Sequence, residues 1–368
     1  MASSQEITVR EVRPEVLALD RMVDIGAGRN HRMLLDKNER TSPFESDHLQ
    51  NILSSITDQD LNRYPDQSEL YEKLAGFLKI DSQNLLLTVG SDSSLKHVFE
   101  TFVECGNRVV SIRPSYAMIN VYAHMFGADL VTVGYNENLE LCEDALLKNI
   151  DSRTKLVVLP NPNQPTGTIL RPAFVQELLR ATEDQGVLLL IDEAYIEFSD
   201  QPSLISEISR FDNLLVLRTL SKAWGLAGVR LGYIAAEVSA IDQLRKVKSL
   251  LDINIIAIKA ACYFLDRYSV IEEFVNEVKD GRELLRTELG KLNVEIISSS
   301  ANFIHARLPN GISPEVVEDS LLTRGIKVRV AGGTASVLDG CIRMTIGTRD
   351  QIKQLVKELS SVMDVLDS

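Results

Sequence analysis

The chain has few cysteines and histidines, and neither residue type is clustered. Its four cysteines include no Cys-x-x-Cys pair, which argues against a disulfide framework and favours a reducing compartment. The five histidines lack the four-residue spacing of helical metal ligands, so we expect no metal site. With 368 residues, 45% of them hydrophobic, the chain can bury a large core without cross-links.

Basic residues are outnumbered, and long apolar runs are missing. The net charge is -13, whereas nucleic-acid binding needs concentrated Lys and Arg, so we expect no nucleic-acid partner. No window reaches the roughly 18 apolar residues of a membrane span. Residues 1–20 carry charges where a signal peptide would have an apolar core. We therefore expect a cytoplasmic protein that does not associate with membranes.

Short apolar runs alternate with helical patterns over residues 85–235. This alternation predicts an α/β fold, in which a mostly parallel seven-stranded sheet is covered by helices on both faces. After about Asp252 the pattern changes to one helical stretch, residues 253–292, and then to a strand-rich unit that predicts a smaller α+β domain. One of the strands predicted in this unit is Lys327–Val330. The strands predicted for the large sheet are Leu85–Val89, Arg108–Ile112, Leu130–Val133, Leu156–Leu159, Val187–Ile191, Leu214–Leu217 and Leu231–Ala235.

Four polar segments follow predicted buried strands, at the point where each strand ends. The ligand crevice of an open parallel sheet lies outside the carboxyl ends of its strands, so we expect these segments to meet. In the segment Thr88–Ser94, Asp92 or Ser93 is placed to cap a helix whose free amides would stabilise a phosphate. The segments are Thr88–Ser94, Asn161–Gly167, Ile191–Tyr195 and Thr219–Arg230.

The last of these segments places a single amine at a strand end. Lys222 follows the hydroxyls of Thr219 and Ser221 and precedes a glycine-relieved turn, with Arg230 eight residues further on. Such an amine can form an imine with an aldehyde, and the hydroxyls and guanidinium can hold an anion nearby. Taken alone, the segment is also typical of a solvated loop. Together with the other three strand ends, it predicts the anchor of a cofactor.

In this order, the segments resemble the fold type I pyridoxal-phosphate aminotransferases of classes I and II. Leu61–Asp66, Asp192–Phe198 and Arg218–Ala223 are similar to motifs of histidinol-phosphate aminotransferases and their relatives. The resemblance runs from about Leu35 to the last predicted helix. It implies a large domain that binds pyridoxal 5'-phosphate, residues 45–252, and a small domain formed by residues 1–44 and 253–368.

The resemblance also assigns roles around the cofactor. Lys222 is expected to carry pyridoxal phosphate as a Schiff base and to move the proton at the substrate's α-carbon. Asp192 is expected to pair with the pyridinium nitrogen, although it could instead cap a helix. Tyr195 is expected to reach the phenolic oxygen of the ring, although it could be a packing residue. The phosphate is expected to be held by Ser91, Asp92, Thr219, Ser221 and Arg230.

Three further residues are assigned through the resemblance. Tyr116 matches an aromatic residue that stacks on the cofactor ring. Tyr64 matches a tyrosine that reaches the phosphate from a neighbouring subunit, which implies a homodimer with shared active sites. The family usually has asparagine before Pro-Thr-Gly, whereas this chain has Gln164 there and Asn163 one place earlier. Because glutamine offers the same amide on a longer stem, we expect Gln164 to contact the cofactor.

Arg343, Arg329 and Asn38 match positions that contact the substrate in the family. The two guanidiniums could bind the phosphate of a histidinol-phosphate-like substrate, or one could clamp an α-carboxylate while the other meets a side-chain anion. Either arginine could instead form a rim ion pair. The sequence departs from the family around Arg40 and after Arg329, where the family meets its substrate, so the amino donor stays open.

The leading hypothesis is therefore an aminotransferase that moves an amino group between an amino-acid or amino-phosphate donor and a 2-oxo acid or related carbonyl acceptor. A carboxy-lyase similar to threonine-phosphate decarboxylases would use the same anchor residues but orient the carboxylate to leave. A non-catalytic module that binds pyridoxal phosphate is a third hypothesis. The acidic charge and the lack of a DNA-binding segment disfavour it as part of a regulator.

Overall fold

A computed structural model describes residues 12–19, 32–292, 294–309, 311–331 and 336–366. The strands in this part of the chain are β1 (Met33–Leu34), β2 (Leu85–Thr88), β3 (Arg108–Arg113), β4 (Asp129–Gly134), β5 (Thr154–Pro160), β6 (Leu188–Asp192), β7 (Leu214–Thr219), β8 (Gly232–Ala236), β9 (Glu295–Ile297), β10 (Phe303–Arg307), β11 (Ile326–Lys327), β12 (Arg329–Ala331) and β13 (Cys341–Thr345). The α-helices are α1 (Pro14–Leu17), α2 (Ser46–Ser54), α3 (Asp58–Asn62), α4 (Ser68–Leu78), α5 (Gly90–Phe102), α6 (Ala117–Met125), α7 (Glu143–Lys148), α8 (Pro172–Asp184), α9 (Val238–Val247), α10 (Ile255–Leu265), α11 (Ser269–Gly290), α12 (Pro314–Thr323) and α13 (Arg349–Leu366).

Strands β2 to β8 form the large sheet in the order β2-β8-β7-β6-β5-β3-β4. Every neighbouring pair is parallel except the two pairs that β8 makes with β2 and β7. The predicted mostly parallel sheet is confirmed, and each predicted strand is present with ends shifted by at most two residues. Apart from the edge strand β4, where only Val133 is buried, the strands could be predicted because their apolar runs are buried on both faces of the sheet.

Helices cover both faces of this sheet. Along β7, Leu214 and Val216 belong to one apolar cluster, while Leu215 and Leu217 belong to the other. Helix α8 packs on the first face, and α5 packs on the second. Because side chains alternate along a strand, a continuous apolar run supplies both layers at once.

A smaller antiparallel sheet follows, in the order β12-β13-β10-β9. Ile304 and Ile342 on one face belong to the same core cluster as residues of α11 and α13. The N-terminal segment joins this region because β1 pairs with β11. The boundaries that assign residues 45–252 to one domain and 1–44 with 253–368 to the other stay a prediction.

Three local predictions were wrong. The stretch 253–292 forms two helices, α10 and α11, and between them the ring of Tyr268 packs on Phe77 and Trp224. The strand predicted at Lys327–Val330 is divided between two sheets, since β11 pairs with β1 and β12 pairs with β13. Neither Asp92 nor Ser93 caps α5, because the helix begins at Gly90, before both residues.

None of the helices in the described ranges combines the length and the apolar character that crossing a membrane requires.

Candidate active site

The four polar segments meet at one edge of the large sheet, where β2, β5, β6 and β7 end and β8 begins. Thr88 and Thr219 both pair with Gly232, so these strand ends lie side by side. A cavity of about 580 Å³ opens at this edge. The predicted site residues that line it are Asn38, Ser91, Tyr116, Gln164, Asp192, Tyr195, Lys222, Arg329 and Arg343.

Lys222 is half-buried and presents its amine to this cavity. Its Nζ donates a hydrogen bond to the backbone carbonyl of Lys37 at 2.9 Å. The same Nζ lies 5.6 Å from the centroid of the Tyr195 ring. The neighbours of the amine are therefore a neutral carbonyl oxygen and an aromatic ring. A carbonyl binds an amine less tightly than a buried carboxylate would, so the amine stays available for reaction.

Asp192 ends β6 and is buried at the base of the cavity. Its Oδ1 accepts a hydrogen bond from the amide of Ala194 at 3.0 Å, the local contact expected of a capping residue. Burial, aided by the Asp92 carboxylate, raises the pKa of Asp192 to about 7, although the Ala194 amide and Lys222 oppose the shift. A cation placed next to Asp192 would restore the ionised form.

A buried charge network fixes the strand ends beneath the site. The guanidinium of Arg218 on β7 donates to Glu193 at 3.2 Å and to Glu197 at 2.6 Å. Glu193 also accepts from the Ser203 hydroxyl and the Leu204 amide. Burial raises the pKa of Glu193, and Arg218 opposes that shift. Since Glu193 follows Asp192 directly, this network holds the end of β6 against β7.

The start of α5 approaches Arg230 and β8 closely. Gly90 has φ of +75°, and a Cβ there would lie 2.6 Å from Nη2 of Arg230. A Cβ on Gly232 would lie 2.7 Å from the amide nitrogen of Ser91. Nη1 of Arg230 donates to the Ser221 hydroxyl at 3.4 Å. These glycines bring the amides of a helix N-terminus, a hydroxyl and a guanidinium together, a donor set that fits a phosphate.

Three of the predicted phosphate ligands, Thr219, Ser221 and Asp92, lie beside this donor set but do not line the cavity. Thr219 and Ser221 are both buried, and the Thr219 hydroxyl accepts from the Ser221 amide at 3.1 Å. The Asp92 carboxylate accepts from the Tyr116 hydroxyl at 2.6 Å. Burial raises the pKa of Tyr116, and Asp92 raises it further, so the phenol stays protonated. This bond ties the start of α6 to α5 and orients the Tyr116 ring.

Asn163 and Gln164 have separate roles in the loop after β5. The Asn163 side chain donates to the Pro114 carbonyl at 3.0 Å and to the Thr166 hydroxyl at 2.7 Å. It also accepts from the Ser115 hydroxyl at 3.0 Å. Asn163 is therefore committed to loop structure, whereas Gln164 lines the cavity and stays our predicted cofactor contact.

Asn38 connects the N-terminal segment to the site. Its side-chain amide donates to the Tyr195 hydroxyl at 3.0 Å, and its backbone amide donates to the Thr345 hydroxyl at 3.0 Å. The carbonyl of Asn38 accepts from Asn302 at 3.0 Å. These contacts account for an asparagine in the left-handed region, with φ of 57°. The residue orients Tyr195, a function that the sequence did not predict.

Two arginines reach the cavity from the small sheet. Arg343 on β13 is buried, and its Nη2 donates to the Asp36 carbonyl at 2.7 Å. Burial lowers the pKa of Arg343, and the Tyr195 phenol opposes that shift. Arg329 on β12 is exposed and stands directly opposite Arg343 in the sheet. Two neighbouring guanidiniums are suited to an anionic ligand.

Several lining residues were not predicted from the sequence. Asp36 and Lys37 precede Asn38 and line the cavity, as does Ser115. The available signal was their position next to Asn38. The contact between Lys37 and Lys222 spans 185 residues, however, and no local pattern indicates it.

Arg40 lies in the first segment that departs from the family pattern, and it does not line the cavity. Its guanidinium carbon is 4.4 Å from the centroid of the Phe44 ring and 4.2 Å from that of Phe274. Its side chain also packs on Gly225, where a Cβ would lie 2.6 Å from the Arg40 Cδ. Arg40 therefore supports the loop after Lys222. Residues 332–335, the second departure from the family pattern, lie outside the described residues.

Comparisons with known proteins agree with this geometry. A model of the aminotransferase class I and II family matches residues 31–359. A histidinol-phosphate aminotransferase from Bacteroides thetaiotaomicron is 35% identical over 303 residues, which cover 81% of this chain and 86% of that protein. The histidinol-phosphate aminotransferase of Sinorhizobium meliloti, solved in complex with pyridoxal-5'-phosphate, has a TM-score of 0.86 and 24% identity, covering 97% of this chain and 98% of that chain. L-threonine-O-3-phosphate decarboxylase from Porphyromonas gingivalis has a TM-score of 0.78 and 22% identity over 90% of this chain and 99% of its own.

The sheet order and the lysine at its carboxyl edge define a pyridoxal-phosphate-dependent transferase of fold type I. More narrowly, the chain belongs to the class I and II aminotransferase family. It is a transaminase that uses pyridoxal phosphate, which confirms the predicted enzyme class and cofactor. The likeness to the decarboxylase shows a shared fold only.

Proposed function

We propose that this transaminase exchanges an amino group between a phosphorylated amine of the histidinol phosphate type and a 2-oxo acid. The observation that carries the proposal is the pair Arg329 and Arg343, which stand opposite each other on adjacent strands and line the cavity that contains Lys222. The name of the Bacteroides thetaiotaomicron relative supports the same amine. One buried and one exposed guanidinium suit two anions of different size.

Each arginine has a preferred partner in this proposal. Arg343 is buried and partly held by the Asp36 carbonyl, so it presents a fixed fork that matches a planar carboxylate. Arg329 is exposed at the mouth of the cavity and can follow a larger, solvated phosphate group. Arg343 therefore serves the 2-oxo acid and its amino-acid product, and Arg329 serves the phosphorylated amine.

The residues at the strand ends would hold the cofactor. Bound pyridoxal phosphate supplies an aldehyde that condenses with amines and a ring that withdraws electrons from the substrate's α-carbon. The α5 amides with Ser221 and Arg230 would hold its phosphate. Asp192 would keep the ring nitrogen protonated, and Tyr195 with Gln164 would donate to the phenolic oxygen. The Lys222 amine would carry the proton to and from the α-carbon.

The assembly is also part of the proposal. Tyr64 is 82% exposed and does not line the cavity of its own chain, which suits a residue that completes the site of a second copy. A homodimer with shared active sites follows. A cytoplasmic location is proposed as well, supported by four cysteines that are all free.

The test is a screen of amino donors that follows the absorbance of the bound cofactor. Histidinol phosphate and glutamate should each change the spectrum as the cofactor takes up their amino group. Addition of a 2-oxo acid should then restore the original spectrum. Arg329→Gln should raise KM for histidinol phosphate about tenfold or more while changing KM for glutamate less, because a charge-assisted contact is lost from one substrate only. Arg343→Gln should show the larger effect with glutamate.

Two controls separate the alternatives. Lys222→Ala should bind pyridoxal phosphate without the absorbance of the lysine-linked form and should not turn over. Release of carbon dioxide from threonine phosphate would instead indicate a carboxy-lyase. No reaction with histidinol phosphate, combined with fast turnover of another donor, would overturn the proposed substrate and leave the family assignment standing.

A further inference from the structure

His305 on β10 is a buried polar residue whose ring nitrogens find no hydrogen-bond partner in the part of the chain that the structure describes. Its side chain is fully buried, and neither Nδ1 nor Nε2 has a hydrogen-bond partner among the described residues. A buried polar group without a partner costs free energy, so such a residue calls for a functional explanation.

His305 stands next to the proposed carboxylate-binding arginine. In the small sheet His305 pairs with Arg343, which in turn pairs with Arg329, so all three side chains share one face. The ring of Phe303 lies against both neighbours, 5.6 Å from the His305 ring and 5.4 Å from the guanidinium carbon of Arg343. The imidazole and the guanidinium are thus adjacent on an apolar support.

Arg343 has a buried hydrogen-bond donor that could pair with the His305 ring. Its Nε is buried and has no hydrogen-bond partner in the described residues, while its Nη2 is bonded to the Asp36 carbonyl. Burial, together with the guanidiniums of Arg343 and Arg307, lowers the pKa of His305 to about 3. The imidazole is therefore neutral at neutral pH and keeps one acceptor nitrogen.

The neighbouring cation does not compete for that nitrogen. Arg307 on the same strand already donates to the backbone carbonyls of Asp339 and Val337, and its Nε forms an ion pair with Glu295 at 3.0 Å. The guanidinium of Arg343 is thus the adjacent donor that still lacks an acceptor at Nε.

We propose that His305 is a positioning residue for Arg343, whose Nε–H it accepts as a hydrogen bond when the guanidinium binds a substrate carboxylate. With Nε held by His305 and one Nη2 hydrogen held by the Asp36 carbonyl, the three free N–H groups all lie on Nη1 and Nη2. The guanidinium then meets a carboxylate end-on through both Nη atoms. The inference rests on the carboxylate-binding function proposed above for Arg343.

The test is a calorimetric titration with succinate, a dicarboxylate without an amine, so that binding is measured without turnover. His305→Leu should bind succinate about tenfold more weakly than the wild type, because Nε loses its acceptor. His305→Gln keeps an acceptor and should remain within about threefold of the wild type. Ile297→Val is the matched control, since Ile297 pairs with His305 on the other side and changes packing alone.

A second measurement uses glutamate turnover. His305→Leu should raise KM about tenfold and change kcat less than about threefold, the pattern of a lost binding contact. Bound-cofactor absorbance and thermal unfolding establish that each variant is folded, and His305→Ala replaces the leucine variant if that protein does not fold.

The outcomes are distinct. Equal succinate affinity in the wild type and His305→Leu would overturn the inference, as would equal losses in the leucine and glutamine variants. A wild type that binds no succinate would overturn it as well, because Arg343 would then not be a carboxylate site. A wild type that binds succinate but does not aminate a 2-oxo acid from histidinol phosphate would contradict the proposed function and leave this comparison intact.

Discussion

At the scale of the residue, the buried carboxylate of Asp192 costs the folded protein free energy when it is ionised. It ends an apolar strand, where the amide of Ala194 donates a hydrogen bond to it. Its pKa, raised to about 7 by burial, means that ionisation costs free energy wherever no cation faces the group. The site is thus built at the expense of stability, and a protonated ring nitrogen would offset that cost.

Replacement of Asp192 by asparagine should reveal this cost. The folded-state pKa of about 7 lies above the ordinary value of 3.8, so the folded protein binds the proton more tightly than the unfolded chain. The stability contributed by that proton is complete below about pH 4 and is lost as the pH rises through 7. Without cofactor at pH 8, Asp192→Asn should therefore be more stable than the wild type by roughly 1–3 kcal/mol.

Urea unfolding of both cofactor-free proteins at pH 5 and pH 8 measures the difference. The gap should be smaller at pH 5 than at pH 8, and Asp192→Asn should lose most transaminase activity at both. If the wild type were the more stable protein at pH 8, ionised Asp192 would not destabilise the cofactor-free protein, and the prediction would be wrong. The matched control is Asp151→Asn, since Asp151 is only partly buried and Arg153 holds the pKa of its carboxyl at about 2.

Individual residues differed in how far the sequence could predict them. Lys222 and Asp192 lie in short motifs at the ends of predicted strands, so local sequence was enough to predict that they lie close together. The carbonyl of Lys37, which holds the Lys222 amine, comes from a segment 185 residues away. His305 could not be predicted, because its meaning depends on a cross-strand pairing with Arg343 that periodicity does not specify.

At the scale of the element, the junction between β2 and α5 carries the residues proposed to hold the cofactor phosphate. The helix begins at Gly90, whose positive φ lets the chain turn from strand to helix in one residue. The missing side chain also makes room for the guanidinium of Arg230. A single glycine therefore sets both the backbone direction and the position of a cation.

Gly90→Ala should separate these two contributions. The positive φ is strained for alanine and should cost about 1–2 kcal/mol of stability. The new Cβ, 2.6 Å from Nη2 of Arg230, should also displace the guanidinium and weaken pyridoxal phosphate binding. We expect about a tenfold loss of cofactor affinity, typical of a disturbed charge-assisted contact.

The control is Gly106→Ala. Gly106 has φ of +84°, but a Cβ at this position would meet nothing within 4 Å, so the variant should show a similar loss of thermal stability with unchanged cofactor affinity. Fluorescence titration with pyridoxal phosphate and thermal unfolding measure the two quantities. Equal cofactor affinity in both variants would show that the Arg230 contact is unimportant.

Most elements of the large sheet were predictable because their strands are apolar runs buried on both faces. The edge strand β4 is the exception, since only its Val133 is buried. The small sheet was less predictable, since Lys327 pairs with Leu34 whereas Arg329 pairs with Arg343. Two sheets there share a single stretch of sequence. Only the position of the N-terminal segment decides where the stretch divides.

At the scale of the whole molecule, exposed apolar side chains are concentrated around α2, α3 and α10. Helix α10 contacts both α2 and α4, and residues 65–68 and 248–251 line a common groove of about 430 Å³. Monomeric proteins seldom expose large contiguous apolar surfaces. The apolar residues of this region are Leu49, Leu53, Leu61, Leu250, Leu251 and Ile256, with Tyr64 among them.

We expect this surface to form the proposed homodimer, and charged substitutions should dissociate it. Leu61 is 72% exposed and Leu250 is 86% exposed, so Leu61→Glu with Leu250→Glu should leave the subunit folded while placing four carboxylates in an apolar interface. Sedimentation equilibrium should show a dimer for the wild type and a monomer for the double variant. Cofactor affinity should fall in the same variant, because Tyr64 would no longer reach the second site.

Two further variants separate assembly from chemistry. Val316→Glu introduces a charge at an exposed valine on α12, which packs on α13 and β11, and should leave both the dimer and the activity unchanged. Tyr64→Phe should keep the dimer but weaken pyridoxal phosphate binding about threefold to tenfold, since it removes one hydroxyl from the phosphate. A monomeric double variant with undiminished cofactor affinity would refute the shared site. A wild type that is itself monomeric at micromolar concentration would refute the homodimer, because Tyr64 would then have no second site to complete.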